Sequence, residues 1–87
     1  MAKVEIYTQW GCPYCPRAKA LLDAKGVRYT EIDVTMDTKK RAEMAERNPG
    51  ARTVPQVFID DVAYGGCDDI HALDRAGELD PALGIAG

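Results

Sequence analysis

The chain has 87 residues, of which 46% are hydrophobic and 29% charged, and its formal net charge is −3. These values are ordinary for a globular protein and allow one small domain over residues 1–87. The small net charge argues against a nucleic-acid partner, and no apolar run approaches the roughly 18 residues of a membrane span. A strand-like run begins almost at the first residue, so a targeting segment has no room and we expect a cytoplasmic protein.

The first third of the chain has the pattern of a strand, a helix and a second strand. Residues 3–8 alternate in hydrophobicity, and Pro13 suits the first position of a helix over 13–25, with Gly26 as its C-terminal stop. Residues 27–34 alternate again. A strand–helix–strand unit of about 30 residues predicts a right-handed crossover between parallel strands.

A second helix is predicted over 35–47. Its N-terminus has two possible capping residues, Thr35 and Asp37. Its pattern is weakly amphipathic, and Met36 and Met44 are expected to fill gaps where the helix packs on the core.

The remainder of the chain predicts a β-hairpin and a third helix. Strands over 54–59 and 62–64 flank a turn of two aspartates. Asp68 or Asp69 can cap the third helix, and the Asp-Pro pair at 80–81 can start one last turn. The element order βαβαββα predicts an α/β fold.

The most informative motif is Cys12-Pro13-Tyr14-Cys15. Thiols three positions apart at a helix start lie about one turn from each other, within the Cα separation of roughly 4.4–6.8 Å that a disulfide tolerates. If Cys12 is the N-cap residue, its sulfur faces unpaired helix amides, which stabilise a thiolate. Cys12 is therefore the candidate nucleophile, and Cys15 is the candidate resolving thiol.

The cysteines also allow a metal-binding interpretation. Three cysteines, two of them in one motif, fit an intracellular redox or metal site better than a framework of structural disulfides. Cys12, Cys15, Cys67 and His71 form a C-x₂-C…C-x₃-H set of the kind that holds zinc. A zinc-binding module stays open beside the redox enzyme, although the pattern favours the enzyme.

Three motifs in order resemble a dithiol glutaredoxin of the small bacterial type. They are Cys12-Pro13-Tyr14-Cys15 after the first strand, Thr53-Val54-Pro55 before the hairpin and Gly65-Gly66-Cys67-Asp68-Asp69 before the third helix. The resemblance covers nearly the whole chain. It implies a thioredoxin-like fold with a four-stranded mixed sheet, flanked by about three helices, and a cis peptide bond before Pro55.

The resemblance also implies an activity. Glutaredoxins are glutathione-disulfide oxidoreductases that reduce protein disulfides and glutathione mixed disulfides. Glutathione is the reductant, no cofactor is bound, and glutathione reductase regenerates glutathione with NADPH. The implied partners are disulfide-containing or glutathionylated proteins, ribonucleotide reductase among them, and the protein is expected to be a monomer.

The resemblance implies where glutathione binds. The implied residues are Tyr14, Arg41, Thr53, Val54, Pro55, Gly66, Cys67 and Asp68. The backbone of Val54 pairs with the cysteinyl part as an added strand would, and the start of the third helix holds the γ-glutamyl end. Many members have a lysine three residues before the nucleophile, near the glycyl carboxylate. Gln9 stands there in this chain, so Arg41 is expected to supply the charge, with Arg52 as the second choice.

Two alternatives remain beside this interpretation. The first is a thiol reductant that thioredoxin reductase reduces, with the same fold but no glutathione site, and the Gly65-to-Asp69 motif argues against it. The second is a protein that binds an iron–sulfur cluster through Cys12 and glutathione, and Pro13 argues against this function.

Overall fold

The computed structural model of the protein describes residues 2–85. The elements in chain order are β1 (Val4–Thr8), α1 (Cys15–Ala24), β2 (Thr30–Asp33), α2 (Thr38–Arg47), β3 (Gln56–Ile59), β4 (Val62–Gly65), α3 (Cys67–Arg75) and α4 (Leu79–Leu83). The predicted order is confirmed, and the expected last turn is a fourth short helix. Within the described residues, none of these helices is long and apolar enough to cross a membrane.

The strands form one mixed sheet, as predicted. Its four strands are ordered β2-β1-β3-β4. β1 is parallel to β2 and antiparallel to β3, and β3 and β4 form the antiparallel hairpin. The parallel pair is joined through α1, as the strand–helix–strand pattern requires.

The two faces of the sheet are covered by different helices. On one face, α1, α3 and α4 bury Leu22, Ile70 and Leu79 in a common core. On the other face, α2 buries Met44 against Phe58 of β3. The sheet is therefore the middle of three layers, in agreement with a thioredoxin-like α/β fold.

The first helix begins at Cys15 rather than at Pro13. Tyr14 is its N-cap, so the prediction that Cys12 occupies the N-cap is wrong. The reason is Pro16, which has no amide hydrogen and so cannot take the helix position that bonds back to the N-cap. A helix that begins at Cys15 puts Pro16 in the first turn, where that hydrogen is not needed.

The second helix begins at Thr38, after Asp37. The Asp37 carboxylate accepts a hydrogen bond of 2.9 Å from the amide of Lys40, which confirms Asp37 as the cap and excludes Thr35. Met36 therefore lies before the helix, and its side chain is 95% exposed. The expected core role of Met36 is wrong, whereas Met44 is buried as predicted.

The third helix begins at Cys67, and its N-cap is Gly66 rather than Asp68 or Asp69. The Asp69 carboxylate lies inside the first turn and accepts a hydrogen bond of 2.9 Å from the amide of Gly66. The carboxylate thus satisfies the amide of the N-cap from within the helix.

β1 is one residue shorter than predicted, and two other strands are shorter by more. β2 covers Thr30–Asp33 rather than 27–34, because only these residues pair with the short β1. β3 begins at Gln56 rather than at 54, and the segment before it, which contains the cis peptide bond between Val54 and Pro55, is a loop.

α2 is held against the sheet by Arg47. Its guanidinium lies 4.1 Å from the centroid of the Phe58 ring, and it donates hydrogen bonds to Glu5 at 2.7 Å and to the Tyr7 hydroxyl at 2.9 Å. The aromatic face and the carboxylate both attract this cation. The contacts fix the helix that carries Arg41.

We predict that Gly65→Ala destabilises the protein more than Gly50→Ala does. Both glycines have φ above +80°, where an alanine is strained by about 1–2 kcal/mol. A Cβ at Gly65 would also collide with the Asp69 carboxylate, whereas one at Gly50 would meet nothing within 4 Å. Urea unfolding of the two variants measures the difference, and equal losses would show that the carboxylate moves aside freely.

Candidate active site

The two motif cysteines lie where β1 runs into α1. Cys12 is in the loop after β1 and is half-buried, and Cys15 is the first residue of α1 and is 3% exposed. The amide of Cys15 donates a hydrogen bond to the Cys12 sulfur over 3.2 Å. Although Cys12 is not the N-cap, its sulfur still receives the first amide of the helix. That contact stabilises negative charge on Cys12.

The Cys12 thiol also contacts the loop before β3. Its Sγ lies 3.5 Å from the carbonyl oxygen of Val54 and donates to it. Val54 precedes the cis bond to Pro55. The reactive sulfur is therefore positioned between the start of α1 and a backbone segment more than forty positions later.

A buried glutamine that was not among the predicted site residues holds this loop. Gln56 is only 6% exposed, and its amide nitrogen donates to the carbonyl of Thr53 at 3.0 Å. The amide of Asn48 donates to its oxygen at 3.1 Å. A polar residue inside the apolar run Val54-Pro55-Gln56-Val57-Phe58-Ile59 was the available signal, because a buried amide needs hydrogen-bond partners.

Beside the thiols lies a cavity of about 340 Å³. It is lined by Tyr14, Thr53, Val54, Pro55, Gln56, Gly66, Cys67, Asp68 and Asp69. The structure thus brings together every residue of the expected glutathione site except Arg41. A Cβ at Gly66 would lie 3.2 Å from the Pro55 carbonyl oxygen, so the absence of a side chain there keeps the two walls close.

The walls of the cavity carry complementary polar groups. One wall is the backbone around Val54, and the other is the start of α3 with the exposed carboxylate of Asp68. The first turn of α3 presents backbone amides, which favour an anionic group. The carboxylate of Asp68 favours an ammonium. The cavity therefore suits a ligand that carries both charges at one end.

Arg41 lies outside the cavity. Its guanidinium donates a hydrogen bond of 2.7 Å to the side-chain oxygen of Gln9. Gln9 lines a second hollow, which Cys12 and Trp10 also line. Arg41 is therefore joined to the residue that stands at the expected lysine position, on the other flank of Cys12. Arg52 is exposed in the loop before Thr53.

The buried cysteines are poor nucleophiles at neutral pH. Burial, together with the hydrogen bond to Cys12, raises the pKa of Cys15 to about 12. Burial and the nearby charge of Asp68 raise the pKa of Cys67. Both groups stay protonated near pH 7, which leaves Cys12 as the thiol able to begin a reaction.

The four residues of the possible zinc set are not assembled. Within residues 2–85, the structure contains no group of three or more His, Cys, Asp or Glu side chains placed to hold a metal ion. Cys67 lines the cavity beside the thiols, and both Cys67 and His71 border a separate hollow with Arg17 and Arg75.

Comparison with known proteins agrees with this arrangement. The family model of glutaredoxin matches residues 4–63. Glutaredoxin 3 of Escherichia coli strain K12 is 57% identical over 83 residues, which are 95% of this chain and 99% of the relative.

Two solved structures have the same fold. The solution structure of glutaredoxin from Brucella melitensis has a TM-score of 0.82 and 50% identity, and the match covers all of this chain and 96% of that one. The crystal structure of a buckwheat glutaredoxin–glutathione complex has a TM-score of 0.85 and 34% identity, over 98% of this chain and 83% of that one. The chain belongs to the glutaredoxin family and is a thiol-disulfide oxidoreductase.

Proposed function

We propose that this protein is a cytoplasmic, monomeric, single-domain enzyme that uses glutathione to reduce glutathione mixed disulfides and protein disulfides. The observation that carries the proposal is the cavity beside Cys12, which joins the Val54 backbone to the start of α3. Its size and polar groups suit a tripeptide with an amino-acid end. The fold shared with the buckwheat glutaredoxin, which was crystallised with glutathione, supports the same ligand.

In the proposed complex, the cysteinyl residue of glutathione pairs with the backbone of Val54 as an added strand. This pairing brings its sulfur to Cys12, because the Cys12 Sγ lies 3.5 Å from the Val54 carbonyl oxygen. The γ-glutamyl carboxylate accepts hydrogen bonds from amides at the start of α3. Its ammonium pairs with Asp68, and the ring of Tyr14 closes one side of the cavity.

The reaction with a glutathione mixed disulfide needs only Cys12. Its thiolate attacks the glutathione sulfur, a bond between these two sulfurs forms, and the substrate leaves as a thiolate that takes up a proton. The thiolate of a second glutathione then attacks the bound glutathione sulfur. Oxidised glutathione leaves and Cys12 is again a thiolate, so the pair of electrons comes from glutathione.

The reaction with a protein disulfide also needs Cys15. Cys12 attacks one sulfur, and a mixed disulfide with the protein forms. Cys15 then loses its proton and attacks Cys12, which releases the reduced protein and leaves the Cys12–Cys15 disulfide for two glutathione molecules to reduce. The sulfur of Cys12 already contacts the amide of Cys15, so little movement is needed.

Replacing each cysteine separates the two reactions. We expect Cys12→Ser to abolish reduction of the hydroxyethyl disulfide–glutathione mixed disulfide, whereas Cys15→Ser keeps most of the wild-type rate. With a protein disulfide, both variants lose turnover. The assay couples glutathione and glutathione reductase to NADPH oxidation. Wild-type turnover with thioredoxin reductase but none with glutathione would replace the proposal by the thioredoxin-reductase-dependent alternative.

Alkylation at neutral pH tests the division of roles among the thiols. With iodoacetamide at pH 7 we expect a single adduct at Cys12, because Cys15, with a pKa of about 12, and buried Cys67 remain thiols. Mass spectrometry of the digested protein locates the adduct, and labelling in urea is the control in which every cysteine reacts. Labelling of Cys15 first would contradict the assignment.

A third test concerns the glycyl end of glutathione. We propose that Arg41, oriented by Gln9 at 2.7 Å, attracts that carboxylate in place of the usual lysine. Arg41→Met should raise the KM for glutathione roughly threefold, the effect of one exposed charge, with kcat little changed. Adding Gln9→Lys to that variant should restore the KM.

Arg52→Met is the matched control, since it removes an exposed arginine from the loop beside the cavity. If Arg52→Met raised the KM and Arg41→Met did not, the carboxylate would lie on the cavity side and Arg41 would have only a structural role.

A further inference from the structure

Two large apolar side chains are exposed together, and one of them borders the hollow that contains Cys12. Trp10 is 86% exposed and Met36 is 95% exposed. Both line a shallow hollow of about 520 Å³, with Asp33, Thr35 and Asp37 as its other lining residues. We call these residues the Trp10–Met36 patch. Adjoining exposed apolar side chains are a feature of interaction surfaces.

The backbone beneath the patch is held in place. The amide of Trp10 donates to the hydroxyl of Thr35 at 2.8 Å, and the amide of Thr35 donates to the carboxylate of Asp33 at 2.8 Å. Asp37 is fixed as the cap of α2 through Lys40. The apolar side chains thus stand on an ordered turn, which lowers the entropy lost when a partner binds.

The charged groups that line the patch are carboxylates. Hydrogen bonds from the hydroxyl and amide of Thr35 lower the pKa of Asp33, so it is ionised at neutral pH. Asp37 supplies a second carboxylate. A partner that complements this lining has an apolar side chain with a lysine or arginine beside it.

The patch continues the surface of the active site. Trp10 also lines the hollow that contains Cys12. The cavity proposed for glutathione is on the other flank of Cys12, between Val54 and Cys67. When glutathione fills that cavity, the remainder of a substrate must extend over the surface around Cys12, and the Trp10–Met36 patch is part of that surface.

We propose that the Trp10–Met36 patch docks the polypeptide part of a glutathionylated or disulfide-containing protein substrate, through an apolar and a basic side chain near its reacting cysteine. The proposal rests on the function proposed above and adds a selectivity that glutathione itself does not supply. The patch increases the affinity for polypeptide substrates and has no part in the attack at sulfur.

The test compares two glutathionylated peptides of about ten residues. One carries leucine and lysine near its cysteine, and the other carries glycine and glutamate at the same positions. We expect the wild type to prefer the leucine–lysine peptide roughly tenfold in kcat/KM. Met36→Gln should lose most of that preference, and activity on the hydroxyethyl disulfide–glutathione mixed disulfide should not change.

Val62→Thr is the matched control, because Val62 is another exposed apolar side chain, at 54%. It pairs with Ile59, which pairs with Val4 at the start of β1, so it lies at the end of the sheet away from Cys12. This variant should keep the wild-type preference.

Fluorescence gives a second measurement that does not depend on turnover. Trp10 is the single tryptophan of the chain, so tryptophan emission reports on the patch directly. In the Cys15→Ser protein, a mixed disulfide of Cys12 with the leucine–lysine peptide should shift the emission to shorter wavelength. The glycine–glutamate peptide should leave it unchanged.

Equal kcat/KM for the two peptides, with no shift of emission, would overturn the docking proposal. The proposed function would still stand if the wild type turned over the small mixed disulfide. Absence of that small-substrate turnover in the wild type would overturn the proposed function itself. Sedimentation of the wild type as a dimer that Met36→Gln dissociates would assign the patch to a second copy of the chain and also overturn the proposal.

Discussion

The position of the Cys12 sulfur, 3.2 Å from the amide nitrogen of Cys15 and 3.5 Å from the carbonyl oxygen of Val54, depends on how two neighbouring strands pair. Tyr7, near the end of β1, is opposite Gln56 at the start of β3. Because these strands are antiparallel, the loop after β1 and the loop before β3 lie at the same edge of the sheet. A slip of one residue would move the loops apart and turn the side chains of the strand to the wrong face.

The same placement separates the chemistry of the two motif cysteines. The Cys12 sulfur accepts an amide hydrogen, and a thiolate gains more from such a bond than a thiol does. Cys15 is buried, and burial penalises its charged form. One sulfur is therefore prepared to attack substrates, while the other stays a thiol until a mixed disulfide forms beside it. The order of the two steps follows from their surroundings, since the side chains are chemically identical.

Local sequence was enough to predict the element order, because turns and the periodicity of strands and helices are specified by neighbouring residues. The residues that line the cavity were expected from the resemblance to glutaredoxins. The errors at the helix starts come from residues within one turn that outweigh the usual capping preferences. Pro16 sets the start of α1, and Gly66 is the N-cap of α3 while Asp69 accepts the hydrogen bond from its amide. The bond between Arg41 and Gln9 joins elements far apart in sequence, so no local pattern predicts it. The exposure of Met36 follows from the late start of α2.

The two flanks of Cys12 differ in the kind of group that they present. The cavity flank is built largely from backbone, a proline and a glycine, and backbone groups recognise any ligand with the right amide and carboxylate spacing. Such a surface suits one ligand common to every reaction. The other flank presents side chains, among them the exposed Trp10 and Met36, which can be exchanged without altering the fold beneath them. In the docking proposal, discrimination among partner proteins arises on that flank, since the attacking sulfur and the backbone cavity are the same for every substrate.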